Sequence, residues 1–474
     1  MKLMLNLLME FLGHRGAGED GGTTIVAPIT PAGAGAVSLL RLSGPEAFPI
    51  AYRMTGLDPC RVSPRTMLRC TVRDTTGEEI DSALVVFFPA PRSFTGEDVA
   101  EIHLHGNPVL VERAGGAACD MGAVPAAPGE FSRRAFQNGK MDLTQAEALA
   151  DLISARTAGA ARAALRQLKG GIRDAISPLR AEIVALLTLL EASIDFIEEE
   201  DIPLLSHEQL QARIIDLREK VGRQLASYAR GHRYRDGATV AIAGVANVGK
   251  SRLLNRLLGE ERAIVTEIPG TTRDYLSGEI SLSGIPLRLV DTAGLREASD
   301  PVEREGVRRS REIIAGADLT LFVLDGSRPA HEGDFDAYRE VAGRPHLVLL
   351  NKQDLAAAED GARFRGPGHS GTLSVSAKSG EGVDGLLGTI VCKIAPEEDA
   401  IMAEAPLTRL RHLDAARKAD AALERGQEAA GRCLPMEFIA SDVRDAAQAL
   451  AEITGEIAPE EVLNAIFDTF CIGK

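Results

Sequence analysis

Tryptophan is missing from these 474 residues, and all aromatic side chains together make up only 4% of them. A chain so poor in aromatics offers no stacking platform of the kind that binds single-stranded nucleic acid. Positive charge is also in deficit, since 53 lysines and arginines face 68 acidic residues and leave a formal net charge of −15. This balance argues against a general nucleic-acid coat protein, although a local basic patch or a partner protein could still bring a nucleic acid to the chain.

Long apolar runs and paired cysteines are absent as well. No segment approaches the ~20 uninterrupted apolar residues of a transmembrane helix. The six cysteines include no C-x-x-C pair, and their spacing suits neither a zinc site nor a disulfide framework. We therefore expect a reducing, cytoplasmic compartment and no membrane association. The apolar start, MKLMLNLLMEFL, is interrupted by Glu10 and lacks a cleavage site, so residues 1–22 are predicted to be a dispensable flexible extension rather than a signal peptide.

The rest of the chain divides into four regions. Short strand-like runs with Gly and Pro between them predict an α/β domain over 23–139. Ala- and Leu-rich periodic stretches predict helices over 140–236, where Asp142 and Gln145 are spaced as a capping box. Strand and helix patterns alternate over 237–395, which is typical of a parallel sheet, and helical texture returns over 396–474. We predict one discontinuous helical domain into which a nucleotide-binding domain is inserted.

A phosphate-binding loop opens the inserted region. Gly244 to Ser251 reads G-x-x-x-x-G-K-S, between a predicted strand (ATVAIAG) and a predicted helix (SRLLNRLLG). The backbone N–H groups of such a loop curl around phosphates, and the helix N-terminus adds positive potential. Lys250 can reach the β and γ phosphates, and Ser251 can ligate Mg²⁺.

Three further motifs follow in order, each at a predicted strand end. In LRLVDTAG, Asp291 can hold Mg²⁺ through water and Gly294 can offer an N–H to the γ-phosphate. HLVLLNKQD ends in Asp354, whose carboxylate can accept from both N–H groups of the guanine edge, so GTP is favoured over ATP. In TLSVSAK a backbone N–H can meet guanine O6. The predicted GTP contacts of the four motifs are Asn247, Val248, Gly249, Lys250, Ser251, Arg252, Asp291, Thr292, Ala293, Gly294, Asn351, Lys352, Asp354, Ser376, Ala377 and Lys378.

The residue that orients the attacking water is less obvious. Ras-like switches carry a glutamine directly after DTAG, whereas this chain has Leu295, which cannot orient water. The segment that follows supplies Glu297, Asp300, Glu303 and Glu305, and the residues alone do not choose among these carboxylates.

Together these motifs resemble the MnmE (TrmE) family of tRNA-modifying GTPases. The resemblance runs from about Thr23 to Lys474 and includes SFTGEDVAEIHLHG, PGEFSRRAFQNGKMDLTQAEALADLI, EIPGTTRD, DTAGLREASDPVEREG, EITGEI and FCIGK. It implies a multidomain fold: an N-terminal α/β folate-binding and dimerisation domain (23–139), an all-α helical domain in two parts (140–236 and 396–474) and an inserted α/β P-loop GTPase domain (237–395). It also implies a homodimer that works with the flavoprotein MnmG, which carries FAD. Together they add a (carboxymethyl)aminomethyl group to C5 of the wobble uridine, U34, of tRNAs bound largely through the partner.

The same resemblance assigns roles to individual residues. Glu303 corresponds to the glutamate that orients water, and Ser251 and Thr272 correspond to the Mg²⁺ ligands. The potassium ligands implied are Asn247, Thr266, Ile268 and Thr271, and the additional GTP contacts are Thr266, Glu267, Ile268, Pro269, Gly270, Thr271 and Thr272. The contacts implied for 5,10-methylene- or 5-formyl-tetrahydrofolate are Arg41, Glu101, Lys140 and Lys474. Cys471 occupies the tail cysteine position, either for chemistry or as a small buried apolar residue.

Two alternatives to this function share the nucleotide motifs. A ribosome-assembly GTPase usually adds a basic RNA-binding module or a second G domain, and the sequence contains neither. A nucleotide-gated scaffold that does not hydrolyse GTP is the other, and turnover in the absence of any partner would exclude it.

Overall fold

A computed structural model describes residues 22–195, 206–259, 277–292, 301–359, 361–394 and 406–474, with the backbone alone at 230, 301–307 and 309. Its contacts divide the chain into two compact units, residues 1–147 with 455–474 and residues 148–454. The described strands are β1 (Ile25–Pro28), β2 (Val37–Ser43), β3 (Leu68–Arg73), β4 (Glu79–Phe88), β5 (Val99–His105), β6 (Val124–Pro125), β7 (Ala238–Ala243), β8 (Ser277–Leu282), β9 (Ile285–Asp291), β10 (Leu319–Asp325), β11 (His346–Asn351) and β12 (His369–Ser374). The described α-helices are α1 (Ala47–Thr55), α2 (Pro108–Asp120), α3 (Glu130–Gln137), α4 (Leu143–Ser154), α5 (Ala158–Leu168), α6 (Gly171–Asp195), α7 (His207–Asp236), α8 (Lys250–Leu257), α9 (Pro301–Gly316), α10 (Glu332–Arg339), α11 (Val383–Ile394), α12 (Leu410–Gly431), α13 (Met436–Thr454) and α14 (Glu460–Phe467).

The first unit is built on a six-stranded sheet in the order β3-β4-β5-β2-β1-β6. Its described pairs are antiparallel except β1 with β6, so the predicted α/β domain has a largely antiparallel sheet. Alternate residues of β2 and β5, such as Leu40 and Ile102, are buried in one core with α1 and α2. This alternation is the pattern of a sheet with one face covered by helices.

The last twenty residues belong to the first unit, whereas the helical pattern of the sequence predicts that all of 396–474 lies in the helical domain. The reason is close packing along α14 and the tail. The Phe131 N–H donates to the Lys474 carbonyl at 3.2 Å. Gly473 has a φ of +94°, and a Cβ there would lie 2.3 Å from the carbonyl oxygen of Pro28. A glycine is therefore required for the tail to lie against β1.

The helical part of the second unit buries one continuous apolar cluster from α6, α7, α12 and α13. The predicted helical stretch from Asp142 to Leu168 is broken into α4 and α5, because Thr157 caps α5 with its hydroxyl, which accepts from the Ala160 N–H at 3.1 Å. The predicted capping box is confirmed, since the Gln145 N–H donates to Asp142 Oδ1 at 2.9 Å and the Asp142 N–H donates to Gln145 Oε1 at 3.0 Å.

The nucleotide-binding part of the second unit contains a six-stranded sheet in the order β12-β11-β10-β7-β9-β8. Its pairs are parallel except that the edge strand β8 runs antiparallel to β9. Apolar clusters lie on both faces, as expected for a doubly wound sheet. The strand order reverses at β7, and such a reversal places a crevice at the carboxyl ends of the strands.

None of the described helices is both long enough and apolar enough to cross a membrane. The six cysteines all lie among the described residues and have free thiols.

Candidate functional site

The phosphate loop lies where the sequence predicts it, between β7 and α8. Its two glycines are required by geometry. Gly244 has a φ of +142°, and a Cβ there would lie 2.3 Å from the carbonyl oxygen of Val323. Gly249 has a φ of +98°, and a Cβ there would lie 2.4 Å from Asn351 Nδ2. A side chain at either position would push the loop off the sheet.

Lys250 and Ser251 begin α8 and turn toward the loop and β9. The Lys250 ammonium is buried and donates to the carbonyl oxygens of Gly244, at 2.8 Å, and Val245. The Ser251 hydroxyl donates to Asp291 Oδ2 at 2.7 Å, and Asp291 is fully buried at the end of β9. A hydroxyl beside a carboxylate is the hard oxygen set that suits Mg²⁺. The third predicted participant, Thr272, lies outside the described residues.

The opposite end of the site is formed by the loops after β11 and β12. Asp354 Oδ1 accepts from the Ser376 hydroxyl at 2.8 Å, and Asp354 Oδ2 lies 3.3 Å from Lys378 Nζ. The hydrogen bond from Ser376, more than that from Lys378, holds the pKa of the Asp354 carboxyl below its usual value. Asp354 therefore stays ionised over the physiological range, as an acceptor for two N–H groups must.

These two ends line one cleft with a volume of ≈ 620 Å³. Its lining residues are Gly244, Ala246, Asn247, Gly249, Lys250, Ser251, Arg252, Asn351, Lys352, Asp354, Leu355, Ala377 and Lys378. A cleft of this size is in the usual range for a bound cofactor or nucleotide. The structure thus brings the predicted phosphate end and base end together, and it adds Leu355, which the sequence analysis did not name.

Several predicted residues fall outside the described part of the chain. They are Thr266, Glu267, Ile268, Pro269, Gly270, Thr271, Thr272, Ala293, Gly294, Leu295, Glu297 and Asp300. Asn247 is described, lines the cleft and has a φ of +63°. Glu303 lies in the first turn of α9, where the backbone is described.

The predicted folate contacts all lie in the first unit. Arg41 Nε donates to Glu101 Oε1 at 2.9 Å, and its guanidinium carbon lies 4.9 Å from the ring centroid of Phe94 and 5.5 Å from that of Phe131. The guanidinium of this ion pair therefore lies over both rings, where cation–π attraction holds it.

The other two predicted folate residues reach this pair only indirectly. Lys140 Nζ donates to the carbonyl oxygen of Pro91 at 2.9 Å, three residues before Phe94. The Lys474 carbonyl accepts from the Phe131 N–H. Cys471 is exposed, so its interpretation as a buried apolar residue is wrong.

Two interactions of the base end were missed by the sequence analysis. Lys352 Nζ donates to Asp325 Oδ2 at 2.7 Å, and the Arg256 guanidinium donates to the Lys378 carbonyl at 2.6 Å. The sequence shows a carboxylate at the end of the strand LTLFVLD, one strand before NKQD, but it does not show that this carboxylate meets Lys352. The arginine lies on the helix after the phosphate loop and has no comparable signal.

Comparison with known proteins gives a consistent result. The family model described as the MnmE helical domain matches residues 143–471, and the model of the GTP-binding protein TrmE N-terminus matches residues 24–140. The chain is 42% identical to tRNA modification GTPase MnmE of Aquifex aeolicus over 95% of this chain and 99% of that protein. It is 44% identical to the protein of the same name from Paramagnetospirillum magneticum, again over 95% and 99%. A solved structure of Aquifex aeolicus Era bound to GDP and AlF4⁻ is 29% identical over 39% of this chain and 66% of that chain, with a TM-score of 0.28.

Proposed function

Because the chain belongs to the MnmE family of tRNA modification GTPases, we propose that it binds GTP in the cleft between the phosphate loop and the loop after β11. The chain is a GTP hydrolase that acts in tRNA modification. The observation that carries the site assignment is that Lys250, suited to phosphates, and Asp354, suited to a base edge, line the same cleft. This family membership favours tRNA modification over ribosome assembly, and a GTP hydrolase is not a passive scaffold.

The reaction and partners proposed are those implied by the family resemblance. A homodimer works in the cytoplasm with MnmG, which carries FAD and most of the tRNA contacts. GTP hydrolysis drives addition of the (carboxymethyl)aminomethyl group to C5 of U34. We also propose that 237–395 forms the G domain, that 140–236 with 396–454 forms the helical domain, and that 23–139 forms the dimerisation domain. Residues 1–22 are proposed to be dispensable.

Guanine selection is proposed for Asp354. Its carboxylate can accept from the two N–H groups of guanine, whereas adenine presents the opposite pattern at one of these positions. Asp354→Asn should weaken GTP by roughly ten- to a hundredfold, because hydrogen bonds to a charged group contribute about 1.5–3 kcal/mol. The same variant should bind xanthosine triphosphate better than the parent does, and an unchanged base preference would overturn the assignment.

Magnesium is proposed to bind directly to Ser251 and Thr272, and Asp291 is proposed to hold the ion through water. The 2.7 Å contact between the Ser251 hydroxyl and Asp291 supports this, because both groups are hard oxygen donors at the phosphate end of the cleft. When bound, the ion neutralises phosphate charge. Asp291 also orients the Ser251 hydroxyl, and Lys250 places a cation beside the loop glycines.

Potassium is proposed to bind Asn247 with Thr266, Ile268 and Thr271. The support from the described residues is that Asn247 belongs to the phosphate loop and lines the cleft together with Lys250 and Ser251. A monovalent cation there can offset charge that develops on the phosphates, as an arginine does in other switches. Replacing K⁺ by Na⁺ should sharply reduce GTP turnover, and Asn247→Ala should abolish the difference between the salts. Equal rates of the parent in both salts would refute this.

A one-carbon folate is proposed to bind the first unit through Arg41, Glu101, Lys140 and Lys474. The pairing of Glu101 with Arg41, whose guanidinium lies over the rings of Phe94 and Phe131, supports it, since a carboxylate with aromatic side chains nearby suits a pterin. Cations suit the glutamate tail of the ligand. Calorimetry with 5-formyl-tetrahydrofolate should give binding to the parent and none to Glu101→Gln.

The whole proposal is tested in cells. Mass spectrometry of wobble nucleosides should show loss of the C5 modification in a deletion strain and its return when this chain is restored. Normal wobble nucleosides in the deletion strain would exclude the proposed reaction.

A further inference from the structure

Asp325 closes β10, one strand away from the loop that forms the base end of the cleft. Its Oδ2 accepts from Lys352 Nζ at 2.7 Å, and its Oδ1 accepts from the Ser327 N–H at 3.1 Å and the Ser327 hydroxyl at 2.6 Å. The Asp325 side chain is only 11% exposed. Both carboxylate oxygens are therefore occupied by donors that favour the charged form.

Both the backbone and the side chain of Lys352 are constrained. Its backbone has a φ of +67°, in the left-handed region that residues other than glycine seldom adopt. Its ammonium is held by Asp325, and the residue lines the cleft between Asn351 and Asp354. With the ammonium turned to Asp325, the part of Lys352 left to face the cleft is its methylene chain.

The loop after β10 also supports the loop after β11 through the backbone. The Gly326 N–H donates to the Asn351 carbonyl at 2.8 Å, and the Ala358 N–H donates to the Gly326 carbonyl at 2.8 Å. The turn from Asp325 to Ser327 uses only Oδ1 of Asp325, which accepts from both donors of Ser327. The contact of Oδ2 with Lys352 is therefore not needed to form this turn. Burial alone would raise the pKa of Asp325, but the hydrogen bonds from Lys352 and Ser327 lower it below its usual value, which agrees with an ion pair between Asp325 and Lys352.

We propose that Asp325 is a positioning residue for nucleotide binding, which acts by holding Lys352 across the base end of the cleft before the nucleotide arrives. A methylene chain fixed in this way offers a flat apolar surface to a purine ring and does not read its hydrogen-bonding edge. Asp325 should therefore affect all purine nucleotides alike, whereas Asp354 discriminates among them. Preorganisation of this kind acts on affinity rather than on the chemical step. The inference rests on the proposed placement of the base beside Asp354.

The test compares Asp325→Asn with Asp318→Asn in the full-length chain. Asp318 is the carboxylate just before the other end of β10, where it accepts from the Thr239 N–H at 2.8 Å. Both variants lose one carboxylate beside the same strand, but only Asp325 contacts a residue of the cleft. Dissociation constants are measured for GTP and for inosine triphosphate, which lacks the guanine amino group, together with kcat at saturating GTP.

We expect Asp325→Asn to weaken both nucleotides by the same factor, about tenfold, since Lys352 is partly exposed and solvent screens the pair. Its kcat should stay within about twofold of the parent value, and Asp318→Asn should change neither quantity. Lys352→Met keeps the chain and removes the ammonium, so Asp325→Asn should cause no further loss in that background.

Three results would overturn the inference: GTP affinity of Asp325→Asn within about twofold of the parent, the same loss in Asp318→Asn, or the full loss retained in the Lys352→Met background. Asp354→Asn is measured in the same assay. If Asp354→Asn leaves base preference unchanged while Asp325→Asn weakens binding as expected, the placement of the base beside Asp354 is wrong but the coupling of Asp325 to Lys352 stands. If Asp354→Asn changes base preference and Asp325→Asn is silent, only the present inference fails.

Discussion

Asn351 Nδ2 donates a 2.7 Å hydrogen bond to the carbonyl oxygen of Val248, a residue 103 positions earlier in the chain. The same buried side chain accepts from the Ala377 N–H through Oδ1 at 2.9 Å. One amide therefore joins the phosphate loop to both loops of the base end, and it fixes the width of the cleft.

Asn351→Ala should weaken GTP binding by roughly ten- to a hundredfold, because it leaves a buried carbonyl and a buried N–H without partners, at a cost of about 1–3 kcal/mol each. Equilibrium titration with a fluorescent guanine nucleotide measures this. Gln353→Ala is the matched control, since the Gln353 amide makes only a 3.4 Å contact with the Leu350 carbonyl. Equal affinities of the two variants would show that the bridge does not set the cleft.

Strand-end motifs explain how much of this site could be predicted from the sequence. Gly244 to Ser251 lies between a strand and a helix because local apolar patterns define both, and Asp291 and Asp354 follow from parallel strands that end at one edge. Asp325 could not be assigned, because a carboxylate after a strand is ordinary unless its partner on the next strand is known. The sequence also did not predict that 455–474 packs with the first unit, because helical periodicity does not show which core a helix joins.

The glycines of α2 provide a stability prediction. Gly115 and Gly116 lie inside this helix, and a Cβ at either position would meet nothing within 4 Å. Glycine costs a helix interior about 1 kcal/mol relative to alanine, so Gly115→Ala and Gly116→Ala should each stabilise the first unit by about that amount. A rise in the thermal unfolding midpoint measures this.

Gly129→Ala is the matched control in the same unit. Gly129 has a φ of +67°, and a Cβ there would lie 2.5 Å from the Phe467 carbonyl oxygen, so alanine should lower the midpoint. A loss of stability at Gly115 or Gly116 as well would mean that another molecule packs on that face of α2.

His346 should make stability depend on pH. It is fully buried, and its Nδ1–H donates to the Arg344 carbonyl at 2.8 Å. In the neutral ring Nε2 then accepts from the Tyr338 hydroxyl at 3.0 Å. Burial lowers the pKa of His346 from 6.5, and the nearby His369 acts in the same direction. The unfolded chain then binds the proton more readily, so this contribution to stability is complete above pH 6.5 and is lost as the pH falls from there toward the lower folded pKa.

Denaturant unfolding of the full-length chain between pH 8 and pH 5 measures this dependence. His346→Gln should flatten the slope below about pH 6.5, whatever it does to stability at pH 8. His369→Gln, which changes a less buried neighbour, should leave most of the slope. An unchanged slope in His346→Gln would assign the pH dependence to another group.

Glu303 is the predicted water-orienting residue, and its position in the fold sharpens its test. It is the third residue of α9, which begins with Pro301, a residue favoured at the first helical position. The Ser310 hydroxyl of the same helix donates to the Thr292 carbonyl at 3.3 Å, directly after Asp291. The helix that carries Glu303 is thereby attached to the strand end that forms the phosphate side of the cleft.

A carboxylate is a much weaker base than hydroxide, so Glu303 should orient the attacking water rather than deprotonate it. Positioned groups of this kind contribute about 10²–10⁴-fold, and Glu303→Ala should lower the single-turnover rate of GTP hydrolysis by about that factor. GTP affinity should change little, because ground-state binding depends on the phosphate loop and Asp354. Glu305→Ala, in the same helical turn, is the control and should hydrolyse GTP at nearly the parent rate. If Glu303→Ala turns over normally and Glu297→Ala or Asp300→Ala does not, the water is held from the preceding segment instead.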